Sequence, residues 1–499
     1  MLLMESPSQF LRILYIKHIP LLLFLITMLQ IQHRALVQGL AMPLQTNNRL
    51  VLIGGGHAHA QVIKALKIRP QNLHVTVIDI AKSVSYSGMV PGCVAGLYTP
   101  EQTLLHLEPL CEWADIEFIQ DEVVDMDLEN NSISLRHTPD PVLFDAVSLD
   151  IGSKSRGLDD IPGAREHTIP TRPISKLVQR IADAEKNLGQ KSRVVVVGGG
   201  AAGIELAMSM RGRWGPLLGD NLQVTLLDAG DELLPNEAPA CRQALQNVLK
   251  NRGIEVLHQC QVKEVTASNV LLDGGVSIPH TQCIWAAGAA APSLAHKLQS
   301  RGLAVSDRGW IRVNDNLQSL SHPNIFAAGD CCTIEGLPGG RSSPPKAGVY
   351  AVRSGPVLIE NLPGFLQSKP LLPYNPQDDF LKLLACGDGK ALGFRFGLPL
   401  QGKWVFEMKD HIDQMFMNLF KKENLPDLIG EDSDTSQFDA IGDNDGRVQL
   451  SPKEAASLLQ RTDDSVNYMT AWHVIRDMTQ DEEYRGAVMG SMGQAVIAQ

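Results

Sequence analysis

The chain has few cysteines, no long apolar run beyond its first forty residues, and no surplus of basic charge. Eight cysteines in 499 residues are sparse and irregularly spaced, which argues against the disulfide framework of small secreted domains. No Cys-x-x-Cys pair occurs, and His and Cys do not cluster at ligand spacing, so no metal site is expected. Lys and Arg number 44 against 55 Asp and Glu, a net charge of −11 at pH 7. A large nucleic-acid surface needs clustered Lys and Arg and is not expected. With 44% hydrophobic and 20% charged residues, the composition is that of a soluble globular protein rather than a polytopic membrane protein. A chain of this length outgrows one core and splits into about two or three domains.

Acid is also missing locally. No Asp or Glu stands between Ser6 and Ile78, whereas Glu431 to Asp445 is densely acidic. Arg12 and Lys17 precede the apolar run Ile19–Ile31, and a small-residue site follows at Gly39-Leu40-Ala41. That order is a signal-peptide pattern, and the acid-free stretch to Arg49 also suits a transit peptide or an uncleaved anchor. Residues 1–48 are therefore expected to direct the chain to an organelle or endomembrane.

Arg49–Gly56 (RLVLIGGG) reads as a strand running into glycines, with a helix through Leu66 and a second strand at His74–Asp79. The pattern returns at Arg193–Gly203 (RVVVVGGGAAG), with a helix at Ile204–Met210 and a strand at Gln223–Asp228. Two such βαβ openings imply parallel sheets covered by helices. Pro363–Pro376 is proline-rich and irregular, and Phe380–Arg395 reads as a hairpin turning at Gly387-Asp388-Gly389. Trp404–Lys422 is amphipathic, with Met408, Ile412, Met415, Phe416 and Leu419 opposite Lys409, Asp413 and Lys421. Its bulky residues Trp404, Phe406, Phe416 and Phe420 suit either a bilayer surface or the protein's own core. After Pro426 a linker and a small separate tail are expected. There, Asp443-Asn444-Asp445-Gly446 has Ile441 and Pro452 where a calcium loop needs its first and twelfth ligands. The segment reads as a turn before a helix capped by Ser451, Pro452 and Glu454.

A dinucleotide pyrophosphate must lie against bare backbone at a helix N-terminus, where free N–H groups and the dipole favour its charge. Gly54, Gly55, Gly56, His57 and Ala58 supply one such turn, with His59 standing in the third glycine position. Gly198, Gly200, Ala201 and Gly203 supply the other, complete. His59 should space helix and sheet differently there. Asp79 and Asp228 end the next strands, where a carboxylate accepts from an adenosine ribose; an acid at Asp228 favours NADH over NADPH. Ala287 and Gly288 lie in a small-residue turn after the strand at Cys283. Gly329 and Asp330 end another strand, where Asp330 faces the ribityl hydroxyls of FAD. Pro344–Val349 (PPKAGV), with Lys346 and Ala347, is expected to begin a helix whose N-terminus would face a flavin and stabilise its reduced form. Cys331 and Cys332 follow Asp330 and read as inert packing rather than a redox pair.

The order of these segments resembles the pyridine-nucleotide-disulfide oxidoreductase superfamily. Within it, type II NADH:quinone oxidoreductases and sulfide:quinone oxidoreductases are similar, as is the flavoprotein module found alone or fused ahead of selenophosphate synthetase. The resemblance rests on GGGHAHA (Gly54–Ala60), YSGMVPGCVAGLY (Tyr86–Tyr98), DIGS (Asp150–Ser153), NDNLQSLSHPNIFAAGD (Asn314–Asp330), PKAGVYAVR (Pro345–Arg353) and KDHIDQMFM (Lys409–Met417). It covers Arg49 to Lys422, and no CGGCG-type kinase segment accompanies it.

The resemblance implies that Ser87, Gly88 and Pro91 lie near the isoalloxazine ring and that Glu205 sits beside the nicotinamide as the catalytic candidate. An acid in the first turn of a helix is also favoured by the dipole alone, so both readings of Glu205 stay open.

The expected fold is α/β, with two Rossmann-like domains for FAD and NAD(P) plus a C-terminal α+β region. Residues 49–165 and 284–355 should form the FAD-binding domain and 166–283 the NAD(P)-binding domain. An interface or membrane-associating region is expected at 356–425, then an acidic linker and small helical tail at 426–499. The expected activity is hydride transfer from NADH to FAD and onward to a quinone-like small-molecule acceptor, with peripheral membrane association and a homodimer as further expectations. A sulfide or selenium-species oxidoreductase, or a redox-sensing flavoprotein resembling apoptosis-inducing factor, is the alternative.

Overall fold

Short β-branched runs ending in glycine shape the N-terminal two-thirds of the fold. The computed structural model describes residues 48–425, 450–463 and 466–497. The apolar run and small-residue site of the leader lie outside them, as do the acidic stretch and Asp443–Gly446. Strand β1 (Asn48–Ile53) runs into Gly54, whose φ of +85° glycine adopts without strain. Helix α1 (His57–Ala65), β2 (Leu73–Asp79), β3 (Glu117–Gln120) and β4 (Ala146–Leu149) follow. The second unit comprises β5 (Ile169–Pro170), β6 (Ser192–Val197), α2 (Ala201–Leu218), β7 (Leu222–Leu227), β8 (Ile254–Leu257) and β9 (Gln282–Trp285). The chain then returns to the first sheet as β10 (Ile325–Ala327) and continues into α3 (Gly348–Leu366).

Each unit is a five-stranded parallel sheet, ordered β10-β4-β1-β2-β3 and β5-β9-β6-β7-β8. In both, the glycine turn leaves the carboxyl end of the central strand, β1 or β6, at the crevice where open α/β sheets bind ligands. Leu50–Ile53 and Val194–Val197 are buried throughout, as strands covered on both faces must be.

The C-terminal part departs from the sequence reading beyond its hairpin. The hairpin is there, as β11 (Lys382–Ala385) and β12 (Ala391–Arg395) with Ala385 opposite Ala391. A third strand, β13 (Leu398–Gly402), extends it and leads directly into α4 (Lys403–Asn418). The apolar face of α4 is interior rather than free for a bilayer: Trp404 is 1% exposed and Phe416 7%.

Helices α5 (Pro452–Gln460), α6 (Tyr468–Gln480) and α7 (Glu482–Ile497) cover it, Ala455, Val474, Ile475 and Met478 sharing a core with Trp404, Val405 and Met408. This removes apolar area from water on both sides, so these helices are a cap on α4 and not a separate tail. The start of α5 has the expected capping box between Ser451 and Glu454. Lys409 and Asp413, assigned by periodicity to the watery face, are each 5% exposed because they pair with one another. Among the described residues no helix is long and apolar enough to cross a membrane.

Candidate active site

The first glycine turn forms a cradle with a carboxyl group already lying in it. A Cβ on Gly54 would stand 2.5 Å from the Asp150 carbonyl oxygen, and one on Gly56 would overlap the Asp150 carboxyl group. Asp150, just after β4, accepts at Oδ2 from the Ala58 N–H (3.0 Å) and the His59 N–H (3.3 Å). These are among the orphan donors that make a helix N-terminus bind anions. Burial pushes the Asp150 carboxyl up to about 7. Asp79, ending β2, accepts from the Gly55 N–H at 2.7 Å and the Ala81 N–H at 2.8 Å. Each of its oxygens keeps a lone pair for a ribose hydroxyl.

His59 explains how this turn manages without its third glycine. At the matching Gly203, a Cβ would overlap the Gly198 carbonyl. The His59 ring is instead accommodated, with Nδ1 2.6 Å from the corresponding Gly54 carbonyl and Nε2 2.8 Å from Ser148 Oγ. Burial lowers the pKa of His59, and of His57, to about 4, so both rings are neutral at pH 7. His59 is packing.

The second turn is open. Gly200 is exposed, with nothing within 4 Å of where its Cβ would be, and Ala201 beside it is exposed as well. The carboxyl group of Asp228, next to Gly199, lies 3.3 Å from His258 Nδ1. Ala287 and Gly288 follow β9; Gly288 has φ +98°, and Arg156 Nε donates to the Ala287 carbonyl at 3.0 Å.

Between the turns the remaining candidates converge. Ser87 Oγ lies 3.3 Å from His57 Nε2 and would be 2.9 Å from a Cβ on Gly348, the first residue of α3. Ser87, Lys346 and Ala347 thus gather at one helix start. Asp330 accepts from Ser153 Oγ at 3.0 Å and from Arg172 Nη1 at 2.8 Å. Gly329 brings backbone close to the Asp150 carboxyl, where a Cβ would lie 2.6 Å from Oδ1. Lys346 Nζ donates to the Cys332 carbonyl and stands 4.6 Å from the Trp310 ring centroid.

The Gly88 carbonyl accepts from Lys409 Nζ at 2.6 Å, and Pro91 accepts from Ser209 Oγ of α2 at 2.8 Å. Glu205, also on α2, accepts from the Ala385 N–H at 2.8 Å. Burial, opposed by the Lys409 charge, pushes Glu205 up to about 7. Burial also opposes the charge on Lys409, but Asp413 and Glu205 outweigh it and raise its pKa. A His57–Tyr86–Phe416–Phe420 aromatic wall lines the same region, with Tyr86 and Phe416 centroids 4.9 Å apart.

Asp150, Arg172, Lys409 and Asp413 escape the sequence reading. For Lys409 and Asp413 the signal is there, opposite charges four residues apart on a helix, but such pairs usually lie in water. Asp150 is marked by an acid following a wholly buried strand. Arg172 carries no local signal. All eight cysteines are free and buried. Cys331 Sγ donates to the Leu149 and Ala328 carbonyls and Cys332 Sγ to Gly329, and burial raises both thiols, Cys332 to about 12. Burial thus favours the neutral thiol at both positions.

Two glycine turns with acids beside them, joined by Ser87–Pro91, fit two dinucleotides meeting at their reactive ends. Known proteins are similar to this chain in sequence or in fold. A demethylphylloquinone reductase of Synechocystis is 28% identical over 296 residues, 57% of this chain and 70% of the relative. The sulfide:quinone oxidoreductase of Aquifex aeolicus superposes with a TM-score of 0.64 at 17% identity, covering 76% of this chain and 92% of the other. The NDH2 of Plasmodium falciparum, solved in complex with NADH, gives 0.62 at 14% identity, covering 77% and 100%; both structures share the fold. The family model for pyridine nucleotide-disulphide oxidoreductases matches residues 48–355, and the chain belongs to that family.

Proposed function

We propose that the chain is an FAD-dependent NADH dehydrogenase that reduces a quinone-type acceptor. The observation that carries this reading is the placement of Glu205. It lies one turn into the helix that starts at the open glycine turn, and Lys409 links it to the Gly88 carbonyl beside the other turn. In this reading the nicotinamide and flavin ends of the site would share that one polar cluster. The Synechocystis relative is named for a quinone and the Plasmodium structure holds NADH, in keeping with this assignment.

Bound FAD supplies two-electron chemistry, accepting a hydride and returning electrons to an acceptor. The chain's residues position and insulate that chemistry. Gly198, Gly200, Ala201 and the α2 N-terminus bind the NADH pyrophosphate, and Asp228 its ribose. Gly54–Ala58, Asp79, Gly329 and Asp330 hold the FAD backbone, and the α3 N-terminus at Lys346–Ala347 favours negative charge on its ring. Lys409 fixes Gly88, while His57, Tyr86, Phe416 and Phe420 bound an apolar side suited to a quinone ring. Membrane attachment, where a lipophilic acceptor is collected, we assign to the apolar run Ile19–Ile31, because the apolar face of α4 is core.

The test is anaerobic reduction by NADH followed by a stopped-flow acceptor screen. The yellow protein should bleach with NADH and recover rapidly with quinones. Failure to bleach with either nicotinamide nucleotide would refute the reading. Bleaching followed by slow recovery with every quinone would point to a redox-sensing flavoprotein instead.

A further inference from the structure

The group in the first cradle is the least expected part of the site. Asp150 is 5% exposed, and its carboxyl lies between Gly56 and Gly329, accepting the N–H groups of Ala58 and His59. A pyrophosphate needs that same helix start. The surroundings are already acidic, since Asp79 on β2 and Asp330 after β10 both repel charge on Asp150. The cations nearby are committed elsewhere: Arg172 pairs with Asp330, and Lys346 bonds to the Cys332 carbonyl. His57 and His59 on α1 are neutral, and Cys331 and Cys332 are uncharged thiols. Adding a doubly charged pyrophosphate beside Asp79, Asp330 and an ionised Asp150, with the cations named above already paired, would be strongly unfavourable.

We infer that Asp150 is a proton-bearing cofactor ligand: it takes up one proton as FAD seats and, as the neutral acid, donates its O–H to a pyrophosphate oxygen. The balance is simple. One proton passes from solvent to a carboxylate oxygen of Asp150, no bond to FAD is made or broken, and the proton leaves when FAD leaves. Burial favours this protonated form near neutral pH. The inference rests on the flavin reading of the first turn.

The test measures flavin retention directly. Full-length holoprotein is diluted at a series of pH values from roughly 5.5 to 9, and FAD release is followed by recovery of its fluorescence. In the wild type the dissociation constant should be flat at low pH and rise about tenfold per pH unit above neutral. Asp150→Asn, which keeps an N–H donor but cannot ionise, should hold FAD with a pH-independent constant close to the wild type's low-pH value. Should Asp150→Asn fold poorly, proton uptake on FAD rebinding to wild-type protein in weakly buffered solution, approaching about one per flavin above roughly pH 8 and vanishing toward roughly pH 5.5, decides the matter. A flat wild-type profile with no proton uptake would overturn the inference while leaving the flavin reading intact. A full-length protein that holds no FAD at any pH would refute that reading itself.

Discussion

The ammonium group of Lys409 lies 2.6 Å from the carbonyl oxygen of Gly88, across 321 residues of sequence. Asp413 completes the arrangement at 2.6 Å, and both side chains are almost wholly shielded from water. A helix near the end of the described core thus grips the segment that carries Ser87 and Pro91. Lys409→Met would leave Asp413 buried without its partner and should cost about 3–5 kcal/mol of stability. The paired change Lys409→Met, Asp413→Leu should recover most of that loss. Thermal unfolding of the two variants checks this, and a single variant as stable as wild type would contradict the packing.

Glu205 should impose a pH dependence on the hydride step. Its carboxyl is pushed up to about 7, so the carboxylate forms as pH rises through neutrality. NADH acquires positive charge on its ring as hydride departs, and a nearby carboxylate favours that change. Flavin bleaching by NADH should therefore accelerate as pH rises through about 7, by roughly tenfold for about 1.4 kcal/mol of added stabilisation. Glu205→Gln should keep the slow, low-pH rate throughout. Stopped-flow absorbance across pH measures both, and a variant profile identical to wild type would remove Glu205 from the site.

NADH should serve better than NADPH. Asp228 stands beside the second turn, where its charge suits two ribose hydroxyls and opposes a 2′-phosphate. Asp228→Ser removes that charge-assisted hydrogen bond, roughly 1.5 kcal/mol, and should narrow the preference by about tenfold. Comparison of kcat/KM for the two nucleotides checks it; equal wild-type values would contradict the assignment.

Phe416→Glu separates a core role from a membrane role for α4. Phe416 is 7% exposed and stacks near Tyr86, so an unpaired carboxylate there costs several kcal/mol. The variant should melt lower and shed flavin. Unchanged stability and flavin content, with loss only of liposome flotation, would show that the face is free after all.

Much of this site is legible in the chain because its signals are local. A β-branched run, a glycine turn and an acid at the end of the next strand together specify both cradles. Gly203 and His59 mark the one motif-glycine position at which the two turns differ in sequence, and only the coordinates show the His59 ring bonded to the Gly54 carbonyl. Lys409 and Asp413 are not legible, because helical periodicity assigns every charge to water and cannot see a carbonyl hundreds of residues away. The cap of α5 to α7 fails for a similar reason: a polar, acidic approach suggests a detached tail, whereas Ala455, Ala471 and Val474 find their partners only in three dimensions. Asp150 follows a buried strand as many harmless acids do, and only its distances to Ala58 and Gly329 set it apart.

Strand β10 joins the first sheet beside β4 although all five strands of the second sheet lie between them in the chain. Consider a nascent polypeptide that has emerged from the ribosome only as far as Trp285. It has every strand of the second sheet but lacks the edge strand of the first, together with Gly329, Asp330 and α3. The unit begun later can close first, while the one begun earlier must wait with an unpaired strand edge. An unfinished edge of that kind is where chaperones and aggregation compete, so flavin capture has to wait until β10 and α3 have been made.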